Sequence, residues 1–223
     1  MINLVHGDCM KHLVNFKDNE FDLAICDPPY GIDIGKRVYG KGKYNRVWGN
    51  SVALKKDYGK CEWDKSIPDN VFFAELIRVS KEQVIWGGNH FQLPLARGWV
   101  FWDKLTGGND FSDGELAWTS FDKPLKKFTF MWNGMLQGAM SNKETRIHPT
   151  QKPVKLYEWL LKNYAKQGDR ILDTHGGSFS LAIACYNLDF DLTLFEIDED
   201  YYRAGVERFE NHKKQIRLFG DKQ

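Results

Sequence analysis

Cysteine is scarce in this 223-residue chain: Cys9, Cys26, Cys61 and Cys185 are the four, with no close spacing among them. That excludes a disulfide framework and a zinc ribbon, and predicts reduced thiols in a cytoplasmic protein. Long hydrophobic runs are missing too. No stretch approaches the ~18 apolar residues of a membrane helix, and residues 1–8 lack the basic head and apolar stretch of a secretory signal. Neither a membrane nor export is expected. Neither sign of charge prevails: 31 Lys+Arg against 30 Asp+Glu leave +1, which argues neither for nor against a nucleic-acid partner. The six histidines (His6, His12, His90, His148, His175, His212) form no i,i+4 pair and have no cysteine at metal spacing, so no metal is assigned. G-x-G-x-x-G is absent, which disfavours NAD or FAD. G-x-x-x-x-G-K is absent as well, which disfavours a nucleotide triphosphatase.

What is present is an ordinary globular balance, 42% apolar and 27% charged, long enough for one domain over 1–223 with sizeable insertions. Aromatic residues reach 14%, and several fall in residues 31–65. There nine Lys/Arg face four acids, a local +5, among Tyr39, Tyr44, Trp48, Tyr58, Trp63 and six glycines. This stretch is too polar to pack a core and too aromatic for an inert linker. It reads as a mobile arm closing on a polyanion with stackable bases, through Lys36, Arg37, Lys41, Lys43 and Arg46. Charge alone leaves a solvated surface loop as an equal alternative.

The rest alternates strands and helices. Strands are predicted at 21–26, 83–86, 99–102, 128–132, 169–173 and 192–196, and helices at 71–81 behind Pro68, 153–166, 178–187 and 199–214. Such alternation implies an open, mostly parallel α/β sheet with helices on both faces. Ligands of such sheets sit off the carboxyl ends of the strands. At one predicted end, Asp173-Thr174-His175-Gly176-Gly177-Ser178 runs through two glycines into a helix N-terminus with free amide donors. Glu196 ends the next strand, where a carboxylate typically holds the hydroxyls of a ribose. Together they imply a nucleoside-containing cofactor, although strand–Gly–helix turns are also common for packing alone.

At another strand end stands Asp27-Pro28-Pro29-Tyr30. A rigid Pro-Pro turn with an exposed tyrosine is the plainer reading. The same arc, however, offers a carboxylate, proline-fixed carbonyls and an aromatic face, which suit an amine on a flat ring. The amine of adenine or cytosine is a poor nucleophile because its lone pair is delocalised. Asp27 and the Pro28 carbonyl are expected to accept its two N–H groups while Tyr30 stacks on the ring. The same acceptors face the positive charge that develops on nitrogen as a cationic methyl donor is attacked.

These residues resemble the amino-group DNA methyltransferases that use S-adenosylmethionine. Substrate motif first and cofactor motif last is the order of their permuted beta group, with a Rossmann-like, circularly permuted sheet. Further matches are Gly7-Asp8-Cys9, His148-Pro149-Thr150-Gln151-Lys152-Pro153 and Phe195-Glu196-Ile197-Asp198. The resemblance implies that Asp27, Pro28, Pro29 and Tyr30 grip a flipped base. It implies that Asp173 binds the methionine amino group, with Thr174, His175, Gly176, Gly177 and Ser178 around the donor. Glu196 and Ile197 would meet the ribose side, Asp8 and Cys9 the adenine edge, and Lys152 would close the methionine end. His175 would pack in place of a phenylalanine. Phe179 departs from the family's last glycine, and weaker or shifted cofactor binding is expected from it. The short segment at about 133–147 would read the target sequence.

Asp at the first motif position goes mostly with adenine N6 and Ser with cytosine N4, so adenine leads and cytosine N4 is the alternative. A catalytically dead DNA-binding relative is the alternative of another class. Methylation of RNA or a protein glutamine ranks low, since it goes with Asn first and an upstream cofactor motif. The expected partners are double-stranded DNA, with a homodimer and a cognate restriction enzyme within the family's range. Trp86-Gly87-Gly88-Asn89 is expected to shape the base site. Asp103, Asp110 and Asp113 read as turn residues, and the acids from Asp189 to Asp200, Glu196 and Asp198 apart, as a solvated edge.

Overall fold

The computed structural model describes residues 1–32, 64–106, 112–133, 136–138 and 140–219. The basic arm lies outside these residues except at its two ends, and with it Lys36, Arg37, Lys41, Lys43 and Arg46. Among the described residues ten strands run in chain order: β1 Ile2–His6, β2 Phe21–Cys26, β3 Ser80–Trp86, β4 Trp99–Asp103, β5 Gly114–Thr119, β6 Lys126–Thr129, β7 Trp132–Asn133, β8 Leu136–Gln137, β9 Arg170–Asp173 and β10 Asp191–Glu196. The helices are α1 Met10–Leu13, α2 Asn70–Val79, α3 Val154–Tyr164, α4 Ser180–Asn187 and α5 Glu199–Phe219. Eight strands form one sheet in the order β1-β10-β9-β2-β3-β5-β4-β6, and β7 and β8 form a separate hairpin within the expected recognition segment.

Strands β1, β10, β9, β2 and β3 are parallel neighbours, and β5 runs antiparallel between β3 and β4. This is the mostly parallel α/β sheet that the strand–helix alternation implies. The near-continuous apolar runs of its central strands follow from burial on both faces. Alternate side chains divide between two cores. Leu23, Ile25, Val84, Trp86, Ile171 and Leu194 join α3 and α4 on one face. Phe21, Ala24, Cys26, Ile85, Leu172 and Phe195 join α2 on the other. Helix α4 is apolar nearly all round because it is buried from Ser180 to Cys185.

The structure departs from the expected elements in places. Helix α2 starts at Asn70, where the Asp69 carboxylate accepts from the Phe72 amide at 2.9 Å; this cap, not Pro68, opens the helix. Its end at Val79 passes directly into β3, so Ser80 and Lys81 are strand. Strand β6 pairs with β4 over Lys126–Thr129, earlier than the aromatic run suggests, because register with Val100–Asp103 decides it. Strands β1 and β5 were not expected. Among the described residues no helix is long and apolar enough to cross a membrane.

Candidate active site

Parallel strands end on one side, so the sheet order sets Asp8, Glu196, Asp173, Asp27 and Gly87 in a row beyond β1, β10, β9, β2 and β3. Neighbouring strands lie about 4.8 Å apart, and β9 is hydrogen-bonded to both β2 and β10. The Asp-Pro-Pro-Tyr turn and the Asp-Thr-His-Gly-Gly-Ser turn, remote in sequence, therefore flank one another.

In the first turn the Tyr30 hydroxyl donates to Asp27 Oδ1 at 2.6 Å, and Lys152 Nζ donates to Asp27 Oδ2 at 2.6 Å. Burial raises the Asp27 carboxyl above the usual range while the Lys152 ammonium opposes it. Burial and Asp27 hold the Tyr30 hydroxyl well above its ordinary value, so it stays a donor. The Tyr30 and Gly31 amides donate to the buried Asp64 carboxylate at 2.9 and 3.0 Å, which fixes the turn. The Tyr30 ring stacks on His90 at 5.0 Å and 13°. It lies so close to Gly87, a left-handed residue, that a Cβ there would meet Tyr30 Cε1 at 2.2 Å. Trp86-Gly87-Gly88-Asn89-His90 thus forms the bed of the tyrosine. Pro28 is buried behind it.

Lys152 lies on the Asp27 side of the site. It reaches Glu115 Oε2 at 3.0 Å as well, and Glu115 in turn pairs with Lys104. Burial would raise the Glu115 carboxyl, but Lys152 and Lys104 outweigh it and bring it down to about 2.

In the second turn Asp173 is buried, and the His175 amide donates to it at 3.0 Å. Burial, with Asp27 and Glu196 nearby, pushes its carboxyl up to about 8. A buried carboxyl that burial and two neighbouring acids hold up in this way gains from an incoming ammonium. The Glu196 carboxylate accepts from the Gly177 amide at 2.7 Å and the Asp198 amide at 2.8 Å. Gly176 is packed so that a Cβ would meet Leu194 Cδ2 at 2.3 Å, while Gly177 has φ +51° and keeps open space towards His148. The Ser178 hydroxyl bonds Ser180, and Arg208 donates to the Ser178 carbonyl at 2.5 Å. Thr174 is buried with its hydroxyl 2.9 Å from His175 Nδ1, and the His175 ring meets Phe72 edge-on. Asp8 accepts from the Met10 amide at 2.9 Å, Cys9 is buried with its thiol pushed up to about 12, and Ile197 is exposed.

Residues not singled out by sequence complete the site. Asp64 and Glu115 carry no local signal, since each is one acid among many until the chain folds. His90 followed a glycine pair already noted beside the pocket. His148, quoted only as part of a motif, packs its ring on Tyr201 at 4.3 Å, and burial with Lys152 and Arg146 pushes it down to about 3.

Residues 110–207 match the family described as DNA methylase. The Type II methyltransferase M2.MboI of Moraxella bovis is 21% identical over 93% of this chain and 87% of its own length. Over those residues the chain is similar to that family. The Type II methyltransferase M.HpaI of Haemophilus parainfluenzae is 24% identical, over 93% of this chain and 74% of its own. A crystal structure of M1.HpyAVI with SAM shares the fold at a TM-score of 0.53 and 20% identity, covering 93% of this chain and all (100%) of that chain. The PvuII cytosine-N4-specific DNA methyltransferase shares it at 0.54 and 15% identity, covering 96% and 90%. The sheet is thus the Rossmann-like methyltransferase sheet, with the Asp-Pro-Pro-Tyr turn preceding the Asp-Thr-His-Gly-Gly-Ser turn in the chain.

Proposed function

We propose that this protein transfers a methyl group from S-adenosylmethionine to the N6 amine of an adenine flipped out of double-stranded DNA. The adjacency of Asp27 and Asp173 on neighbouring strand ends carries the reading, for it sets an amine acceptor beside a carboxylate suited to an ammonium. Asp173 would hold the methionine ammonium, Gly176 and Gly177 would let the backbone approach, and Glu196 would take the ribose hydroxyls. When bound, S-adenosylmethionine supplies an electrophilic methyl on a sulfonium. Asp27 accepts an N–H of the base, draws the nitrogen towards tetrahedral geometry, and faces the positive charge that develops there. It is also the nearest carboxylate for the proton that the nitrogen then sheds. Tyr30, held by His90 and Gly87, supports the base by stacking. The choice of adenine over cytosine rests on Asp at the first position of the turn; the fold itself is shared with a cytosine-N4-specific enzyme.

Asp27→Asn keeps the size of the side chain and removes its charge. It is expected to lower methyl transfer to DNA by about 100-fold or more, while calorimetry shows cofactor binding retained. A variant that keeps most of its turnover would refute the role of the turn.

A further inference from the structure

Lys152 is 4% exposed, and a lysine that is buried must be paired. Its ammonium meets Asp27 at 2.6 Å, Glu115 at 3.0 Å and the Tyr30 hydroxyl at 3.3 Å. It also lies 5.2 Å over the Trp86 ring and 5.7 Å over that of Tyr30. Glu115 comes from β5, the one strand reversed within the sheet, and its other oxygen pairs with Lys104. The result is a chain of alternating charges, Asp27–Lys152–Glu115–Lys104. Side-chain exposure is 16% at Asp27, 3% at Lys152, 25% at Glu115 and 17% at Lys104, so the shared ammonium is the most buried link of the four.

We propose that Lys152 and Glu115 are positioning residues for methyl transfer: Lys152 fixes Asp27 in place, and Glu115 occupies the charge of Lys152 so that Asp27 keeps its own for the base amine. The inference rests on the reading of Asp27 as the acceptor of that amine. A carboxylate in an exclusive pair with an ammonium is nearly neutral to a third charge. With the ammonium shared between two carboxylates, Asp27 still presents negative potential to a nitrogen turning cationic. Lys152 also ties Asp27 to Tyr30, because both accept or share its protons. The remaining ionisable groups that face Asp27 are Tyr30 in its own turn, Asp173 from the end of β9 and Tyr157 from α3. None of these is a cation, and it is Lys152 that opposes the upward push of burial on the Asp27 carboxyl.

The two residues should therefore move Asp27 in opposite directions. Carboxyl carbon NMR of the free protein, with the Asp27 signal assigned through Asp27→Asn, reads its titration midpoint without any need for turnover. Lys152→Met should raise the midpoint by about one pH unit or more, and Glu115→Gln should lower it. Lys152→Arg, which keeps the charge, should hold it near the wild-type position, and its fold is the safer of the two lysine variants. Single-turnover methylation of duplex DNA should be about tenfold slower or more in Glu115→Gln. Cofactor and DNA dissociation constants should be unchanged, the acid limb of the pH–rate profile should move down, and Glu115→Asp should recover part of the rate. A wild-type rate and an unmoved midpoint in Glu115→Gln would overturn the proposal, as would a large rise in Lys152→Arg. Should midpoints move as stated while wild-type protein leaves DNA unmethylated, the reaction assigned to the site fails and the charge arrangement stands. Should wild-type protein methylate DNA with the midpoints fixed, this inference alone fails.

Discussion

Asp173 enters the resting site with its carboxyl near pH 8, raised by burial and by Asp27 and Glu196. Below that pH it is mostly protonated, yet an ammonium needs the carboxylate. Cofactor binding should therefore release a proton between about pH 6 and 8, and affinity should rise with pH by up to about tenfold per unit before levelling off above 8. Calorimetry in buffers of different ionisation enthalpy measures that proton directly. Phe179 yields a second residue-scale prediction. It has φ +61° and is fully buried, with its ring against Gly205 and Tyr202. Phe179→Gly should relieve about 1 kcal/mol of backbone strain but forfeit about 3–5 kcal/mol of packing, a net loss visible in denaturant unfolding. Both catalytic-looking turns were legible in the sequence because their chemistry is local: Asp27 with Pro28, Pro29 and Tyr30, and Asp173 with Gly176 and Gly177. The partners of those residues were not legible. Nothing near Glu115 in the chain says that folding will set it on Lys152, and nothing near Lys152 says that it will reach back to Asp27.

At the scale of elements, helix α5 ties the turn at 173–178 to the opening of α3. Arg208 donates to the Ser178 carbonyl, the Ser180 hydroxyl and the Glu144 carboxylate, while the other oxygen of Glu144 accepts from the Val154 amide that opens α3. Burial lowers the Arg208 guanidinium from its ordinary value, with Glu144 opposing. Arg208→Met removes all three bonds, and should loosen the turn and weaken cofactor binding by about tenfold or more, each charge-assisted hydrogen bond being worth about 1.5–3 kcal/mol. Titration calorimetry checks it, and an unchanged constant would make Arg208 a purely structural tie. Central strands such as β2, β9 and β10 could be read from sequence, since burial on both faces writes a continuous apolar run. Strand β5 could not. Glu115 interrupts its apolar pattern, and its pairing with β3 and β4 depends on partners distant in the chain. The start of α2 was legible to within one residue, with the Asp69 cap setting the boundary at Asn70.

Over the whole molecule, the β10–β9–β2 neighbourhood brings the two halves of the chain together at one end of the sheet, so that Asp27, Asp173 and Glu196 follow adjacent strand ends. Extruding a base from duplex DNA costs a few kcal/mol, and stacking on Tyr30 returns about 1–3 kcal/mol. Phosphate contacts must supply the remainder. Neutralising Lys36, Arg37, Lys41 and Lys43 together should weaken DNA binding several-fold and flatten its dependence on salt, with cofactor affinity unchanged; an unaltered slope of log binding constant against log salt would place the contacts elsewhere. The assignment of the reaction itself is tested most directly by its product. Duplex DNA incubated with the protein and methyl-labelled S-adenosylmethionine, then digested to nucleosides and separated, should carry the label in N6-methyl-2′-deoxyadenosine and lose it with Asp27→Asn. Label in N4-methyl-2′-deoxycytidine, or none in DNA at all, would contradict the account.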